Sequence, residues 1–165
     1  DMKGMKIRVL PSEIQRRTFD LLGAIAMRMD LTEAIAMIKA GTLDAQENPL
    51  ANTVTYGVHN FHKFHTLTSH FYISRPVFLH RASFEAWPND LQEAMRRAVK
   101  ESVTYQRGLA VEEHEESRRI IEAAGCEIVE PTAREHDAFV DAVKPLTAEA
   151  RETYGAGMFK MVPAA

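Results

Sequence analysis

Short alternating runs bracketed by amphipathic stretches set the plan of this chain. Met5-Lys6-Ile7-Arg8-Val9 alternates with the two-residue period of a half-buried strand. It precedes a helical pattern over Glu13 to Leu22, which Ser12 opens and Gly23 closes. Ile25 to Met29 alternates again, and Asp30 with Glu33 three residues later forms a capping-box-like head for a helix that ends at Gly41. Leu43 to Gln46 gives a brief third strand. Asn48-Pro49 then marks another helix start, because an asparagine side chain accepts from orphan amides and a proline at the first helical position has no amide to lose. That helix is expected to run to about Phe64. Strand, helix, strand and helix in this order predict an α/β architecture.

The second half is patterned differently. Thr66 to Leu79 is rich in Thr, Tyr, Ile, Val and Phe and reads as an extended strand, at an edge because Pro76 cannot donate to a ladder. Asn89 with Gln92 predicts a capping box. From Asp90 to Ala124 there is no proline and one glycine, with Leu91, Met95, Ala98, Tyr105 and Leu109 near helical spacing. At 1.5 Å per residue this helix would be about 50 Å long. A single small domain has little use for such a rod, so the helix is expected to lie along two lobes. Gly125 stops it, Cys126 to Glu130 forms a strand, and Thr132 with Glu135 caps a last helical region that Pro145 is expected to kink.

Composition narrows the function classes. The 165 residues carry 20 basic and 23 acidic side chains, a formal charge of -3, and the two signs are interleaved. No basic stripe recommends a nucleic acid or an anionic membrane surface as partner. No apolar run approaches the roughly 20 residues that span a bilayer. The single cysteine, Cys126, excludes an intrachain disulfide and any CxxC motif, and its place in a strand-like run predicts a buried, inert thiol. The chain opens directly into a strand signal with no basic n-region, apolar h-region or cleavage site, so it is either a mature chain or a piece of a longer one. The motifs below favour the piece.

Among chemistry-bearing residues, Arg8 stands at the carboxyl end of the first strand, where α/β folds present side chains to a ligand. Its planar fork can hold a carboxylate through two parallel hydrogen bonds, although a solvated strand-end arginine is the commoner occurrence. His59, His62 and His65 invite a metal reading, but spacings of three and six do not bring three rings to one helix face, so a solvated helix end is expected. His114 lies in Glu112-Glu113-His114-Glu115-Glu116 without a second histidine four residues on, so no HExxH pattern is present. Neither a Gly-rich phosphate loop nor a GxSxG elbow occurs.

The run DMKGMKIRVLP at residues 1–11, followed by Ala40-Gly41-Thr42-Leu43-Asp44-Ala45-Gln46-Glu47-Asn48-Pro49-Leu50, resembles solute receptors of tripartite ATP-independent periplasmic (TRAP) transporters of the DctP type. The likeness continues through Lys63-Phe64, Leu67-Thr68, His70 and Trp87-Pro88-Asn89-Asp90-Leu91-Gln92. It covers nearly the whole chain but only about the second half of a typical member. The resemblance implies a periplasmic-binding-protein-like α/β lobe with a mixed sheet and one very long bridging helix, the first lobe lying upstream of Asp1. Residues 1–73 would be the second lobe, 74–125 a crossover strand and the bridging helix, and 126–165 a C-terminal strand and helices.

The resemblance also implies a function: capture of an organic acid in the periplasm and delivery to the membrane subunits of a TRAP transporter, with no bond made or broken, no cofactor and no metal. Arg8 would clamp the ligand carboxylate. Asn48, a helix cap in any case, would contact the ligand, and Glu47, which would repel an anion, would orient waters or Arg8. His70 would lie near the pocket, with Leu31, Pro11 and Tyr72 as candidate walls that core packing explains almost as well. Two residues depart from the family pattern: Ala45 stands where glycine is common, implying a turn without positive φ, and Leu31 where an aromatic often lines the pocket, which leaves the ligand's body open. Exposure of the face that would pack on a first lobe predicts self-association. Two rival readings are a metal-binding module or metal-dependent enzyme using His59, His62, His65 and His70, and the ligand-binding domain of a sensor.

Overall fold

The computed structural model describes residues 2–160. Asp1, which opens the motif above, and residues 161–165, which end the last expected segment, lie outside the described residues. Strand β1 (Lys6–Val9) leads into helix α1 (Glu13–Leu21), strand β2 (Ile25–Arg28), helix α2 (Leu31–Lys39) and the two-residue strand β3 (Ala45–Gln46). The sheet order is β2-β1-β3, and both pairings are parallel, with Arg8 opposite Met27 on one side and Gln46 on the other. Each helix carries the chain back to the start of the sheet, and such a crossover makes the next strand parallel. The mixed sheet expected for this fold is therefore not what forms among the described residues.

Strand alternation divides the core in two. Ile7 and Val9 turn to one face and pack with Phe19 of α1 and Ala24, joined by the half-buried Phe71. Met29, Ala34, Ile38 and Leu43 form a second cluster around α2. Arg8 alternates away from Ile7 and Val9, so the one buried charged residue of the central strand is carried into the protein on the opposite face. The punctuation read from the sequence forms here. Gly23 takes a left-handed φ of 86° after α1, and Asp30 Oδ1 accepts from Glu33 N at 3.0 Å at the head of α2. Ala45 sits in β3, and Ser69 is the one non-glycine residue with positive φ among the described residues, so the turn closes without left-handed backbone at Ala45.

Beyond the sheet three expectations change. The helix expected from Asn48 to Phe64 is only α3 (Leu50–Thr55), followed by a 3-10 turn at Val58–Asn60. Gly57, left-handed at φ 66°, ends it. The long strand expected from Thr66 to Leu79 shrinks to β4 (Phe64–Thr66), and no strand occurs over residues 67–80. Ser69 turns the backbone left-handed at φ 47°, and Tyr72, Val77 and Phe78 are exposed with no neighbouring strand to pair with. A β-rich composition without a partner edge makes no ladder.

Short helix α4 (Arg81–Glu85) precedes α5 (Asn89–Ala123), whose 35 residues span about 52 Å. The Asn89–Gln92 capping box does not form. Pro88 holds the cap position, its carbonyl accepts from Gln92 N, and the Gln92 side chain donates to Trp87 O at 2.9 Å instead. Along α5 only Ser117 and Ile121 are fully buried, both near its C-terminal end, where α3 and β5 (Glu127–Val129) pack. β5 pairs in parallel with β4. Helix α6 (Ala133–Tyr154) starts with the expected capping box: Glu135 N donates to Thr132 Oγ1, and Thr132 N donates to Glu135 Oε2 at 2.8 Å. It carries through Pro145 and docks on α1, where Arg17 donates to both carboxylate oxygens of Glu149 at 2.7 and 2.6 Å. A last helix, α7, covers Ala156–Phe159.

Candidate functional site

All three strands of the main sheet point their carboxyl ends to one edge, and α1, α2 and α3 begin there. Open α/β sheets bind ligands at this edge, where helix N-termini add positive partial charge. Arg8, third of the four residues of β1, reaches toward it: its Nε donates to the carbonyl of Met29, the residue just past β2, at 3.0 Å. Only 2% of Arg8 is exposed, and its Nη1 has no hydrogen-bond partner among the described residues. A buried guanidinium left one bond short is costly unless something anionic completes it. Burial lowers the Arg8 pKa, while the carboxylates of Glu47 and Asp30 act against the shift. An arginine so placed stays cationic.

Glu47 follows β3, and its amide donates to the Arg8 carbonyl at 3.3 Å, tying the two residues through the backbone. Its side chain is buried and lies among three groups. Gln15 Nε2 donates to Oε1 at 3.5 Å, His70 Nε2 stands 3.4 Å from Oε2, and Arg8 attracts it electrostatically. His70 is held on its other side by Thr68, whose hydroxyl is 2.6 Å from Nδ1, and its ring sits edge-on to Phe19 and Phe71 at 5.1 and 4.9 Å. The first core cluster thus fixes the histidine that faces Glu47. The buried polar atoms without partners, Arg8 Nη1, Gln15 Oε1 and His70 Nε2, all belong to residues that meet this carboxylate.

Asn48 is not the helix cap that was expected. Pro49 takes that position, with Thr53 N donating to its carbonyl at 3.0 Å, and Asn48 sits one residue earlier. The extended conformation that proline requires of the residue before it keeps Asn48 out of the helix. Its amide donates to Gln46 Oε1 and its Oδ1 accepts from Asn52 at 3.2 Å.

A cleft of about 760 Å³ opens beside these residues, with Glu47, Asn48, Thr68, His70, His114 and Phe139 on its wall. Of the candidate site residues, Glu47, Asn48 and His70 are brought together there. Arg8 is not on the cleft wall. Leu31 opens α2 and packs half-buried on the second core cluster, Pro11 is exposed in the turn after β1, and Tyr72 is 92% exposed in the irregular segment. Gln15 and Thr68 went unnoticed in the sequence reading. Gln15 carried a signal: it shares the buried face of α1 with Thr18 and Phe19, where an apolar residue is the rule.

The histidines do not assemble a metal site. Among the described residues no three His, Cys, Asp or Glu gather in a group that could hold an ion. His59 Nδ1 faces the Thr53 carbonyl, His65 Nε2 the His62 carbonyl, and His70 is engaged as above. The metal-module reading loses its donor set. Burial lowers the pKa of both His62 and His65, with a neighbouring histidine adding to the shift in each case. Cys126 is half-buried, and its thiol donates to the His59 carbonyl at 3.2 Å.

Known proteins are similar in sequence and fold. The chain is 30% identical over 166 residues to the C4-dicarboxylate-binding periplasmic protein DctP of Rhodobacter capsulatus, matching all of this chain and 50% of that protein. It is also 30% identical over 143 residues to the 2,3-diketo-L-gulonate-binding periplasmic protein YiaO of Escherichia coli K12, covering 87% of this chain and 43% of that one. The crystal structure of a TRAP periplasmic solute-binding protein from Xanthobacter autotrophicus Py2, with bound β-D-galacturonate, superposes with a TM-score of 0.80 at 30% identity, over 90% of this chain and 49% of that one. The chain therefore spans about half the length of the relatives it matches. The model of the bacterial extracellular solute-binding protein family 7, DctP, matches residues 1–153, and with that coverage the chain belongs to this family.

Proposed function

We propose that the protein carrying this chain is a periplasmic receptor that captures an organic acid by its carboxylate and delivers it to the membrane subunits of a TRAP transporter. It binds and releases its cargo without chemistry. Residues 1–73 serve as one binding lobe, 74–125 as the crossover and bridging helix, and 126–165 as the closing strand and helices. The observation that carries this reading is the buried Arg8 guanidinium, held by the Met29 carbonyl with Nη1 unpartnered at the carboxyl edge of a parallel sheet. A ligand carboxylate supplies the missing acceptor. Glu47 holds the guanidinium by charge, and His70 and Gln15 hold Glu47. Asn48, on the cleft wall, gives the ligand an amide, while Pro11, Leu31 and Tyr72 flank it once the lobes close.

The names of the similar proteins support the ligand class: one binds C4-dicarboxylates, another 2,3-diketo-L-gulonate, and a third holds galacturonate. The test is a thermal-shift panel of mono- and dicarboxylates and sugar acids on the full-length protein, with Arg8→Ala beside it. Truncating one partner of a desolvated charge pair costs roughly 2–5 kcal/mol of binding. A ligand at about 100 times its Kd raises stability by roughly 2.7 kcal/mol. One acid class should raise the native midpoint and leave Arg8→Ala unmoved. No shift from any acid, or an equal shift in both proteins, sinks the receptor reading.

A further inference from the structure

The segment that follows β4 holds a short polar relay that ends on the Glu47 carboxylate. β4 stops at Thr66, and Leu67 N still donates to Val129 O at 2.9 Å, so the backbone leaves the ladder at Thr68. In extended backbone Thr68 and His70 would stand on one face about 6.6 Å apart along the strand. Ser69 instead turns left-handed at φ 47°, a conformation disfavoured for a residue with a Cβ, and folds the chain between them. The Thr68 hydroxyl then lies 2.6 Å from His70 Nδ1. Such backbone strain persists where the surroundings fix it, and here the His70 ring is set edge-on to both Phe19 and Phe71.

The far nitrogen of the same ring faces Glu47. His70 Nε2 is 3.4 Å from Oε2 and has no hydrogen-bond partner among the described residues. The buried carboxylate has few other neighbours: Gln15 Nε2 meets Oε1 at 3.5 Å, and Arg8 opposes its charge. Lys63, the one lysine or arginine on the cleft wall, is exposed and forms no ion pair with Glu47 among the described residues. The direction of the dipole at Nε2 therefore counts. A neutral imidazole carries one N–H and one bare lone pair, and the partner of one nitrogen decides the state of the other. With the proton on Nδ1 and donated to Thr68, a lone pair would face the carboxylate. With the Thr68 hydroxyl donating to Nδ1, the proton sits on Nε2 and the positive end of the bond faces Glu47. Low dielectric strengthens the repulsion in the first case and the attraction in the second.

We infer that Thr68 is a positioning residue of the site: its hydroxyl donates to His70 Nδ1 and holds the ring in the Nε2–H tautomer, which orients the Glu47 carboxylate that opposes Arg8. The consequence for ligand affinity rests on the receptor reading above, whereas the tautomer does not. Thr68→Val keeps the shape and removes the donor, leaving Nδ1 free to take the proton. Thr68→Ser keeps the donor and removes the methyl group.

Nitrogen-15 NMR of the imidazole rings in the unliganded full-length protein tests the tautomer. Calorimetry with D-galacturonate, D-glucuronate and succinate tests its effect on binding. His70 is expected as Nε2–H in the native protein and in Thr68→Ser, and to lose that single tautomer in Thr68→Val. The tightest-bound probe should bind Thr68→Val about fivefold or more weakly, with Thr68→Ser near native. A Nδ1–H or imidazolium signal for His70 in the native protein at neutral pH overturns the inference, whatever the ligand. The opposite order, Thr68→Ser impaired and Thr68→Val normal, shows packing by the methyl group and overturns it as well. Unchanged affinity in Thr68→Val for a probe whose binding Arg8→Ala abolishes overturns the link to the site and leaves the receptor reading standing. If no probe binds in an Arg8-dependent way, the receptor reading falls and the binding role of Thr68 with it, while the NMR spectrum still decides the tautomer. The native spectrum needs no variant to fold.

Discussion

Phe19 joins the architecture to the candidate site, and replacing it with alanine tests both. Its ring is 2% exposed, packed with Ile7, Val9 and Ala24, and meets His70 edge-on at 5.1 Å. Removing a buried phenylalanine side chain in this way costs about 3–5 kcal/mol through lost transfer energy and the cavity left behind. The edge-on ring pair adds roughly 0.5–1.5 kcal/mol at a position where the partner also loses its orientation. In urea, with a slope of about 2 kcal/mol/M, a 4 kcal/mol loss lowers the midpoint by about 2 M. Phe19→Leu, which keeps most of the volume, should cost no more than about 1.5 kcal/mol. A second readout follows from His70. With its ring free to turn, Glu47 loses a neighbour at 3.4 Å, so ligand affinity should drop in Phe19→Ala even at temperatures where the protein is folded. A loss below about 1.5 kcal/mol in Phe19→Ala would refute the packing of α1 on the Ile7 and Val9 face. Normal affinity in the folded variant would refute the coupling to the site.

Two further outcomes are expected. Thr132→Ala removes an accepting hydroxyl and one half of the α6 capping box, for a loss of about 1 kcal/mol in urea unfolding that Thr132→Ser should restore. His62 and His65 have folded pKa values lowered by burial, so the unfolded chain binds protons more readily. Stability is then complete above the ordinary histidine value near 6.5 and declines as pH falls below it toward the folded values. Urea midpoints between pH 7.5 and pH 5 should fall in the native protein and flatten in a His62→Gln/His65→Gln variant; equal slopes would show that neither histidine contributes.

The sequence by itself determined the elements whose causes are local. Alternation over residues 5–9 and 25–29 made strands, Gly23 and Gly125 stopped helices with left-handed backbone, Asp30 and Thr132 capped helices through side-chain oxygens, and 35 residues without proline made one long rod. The motif around Gln46-Glu47-Asn48-Pro49 also carried the family, because a turn that must place several groups at one sheet edge leaves its trace in consecutive residues. Where a partner distant in the chain was needed, local pattern misled. Thr66 to Leu79 has strand composition, yet β4 ends at Thr66, where its pairing with β5 from the far end of α5 also stops. Asn89–Gln92 and Asn48–Pro49 looked like caps, but prolines took the cap positions, and the side chains of Gln92 and Asn48 found other partners. Only the tertiary structure put Gln15 and His70 around the Glu47 carboxylate, with Arg8 buried at the same edge. Their separations of 32 and 23 residues are closed by packing of Phe19 and Phe71 rather than by any period in the sequence, and a polar cluster of that kind exists only once the core has formed around it.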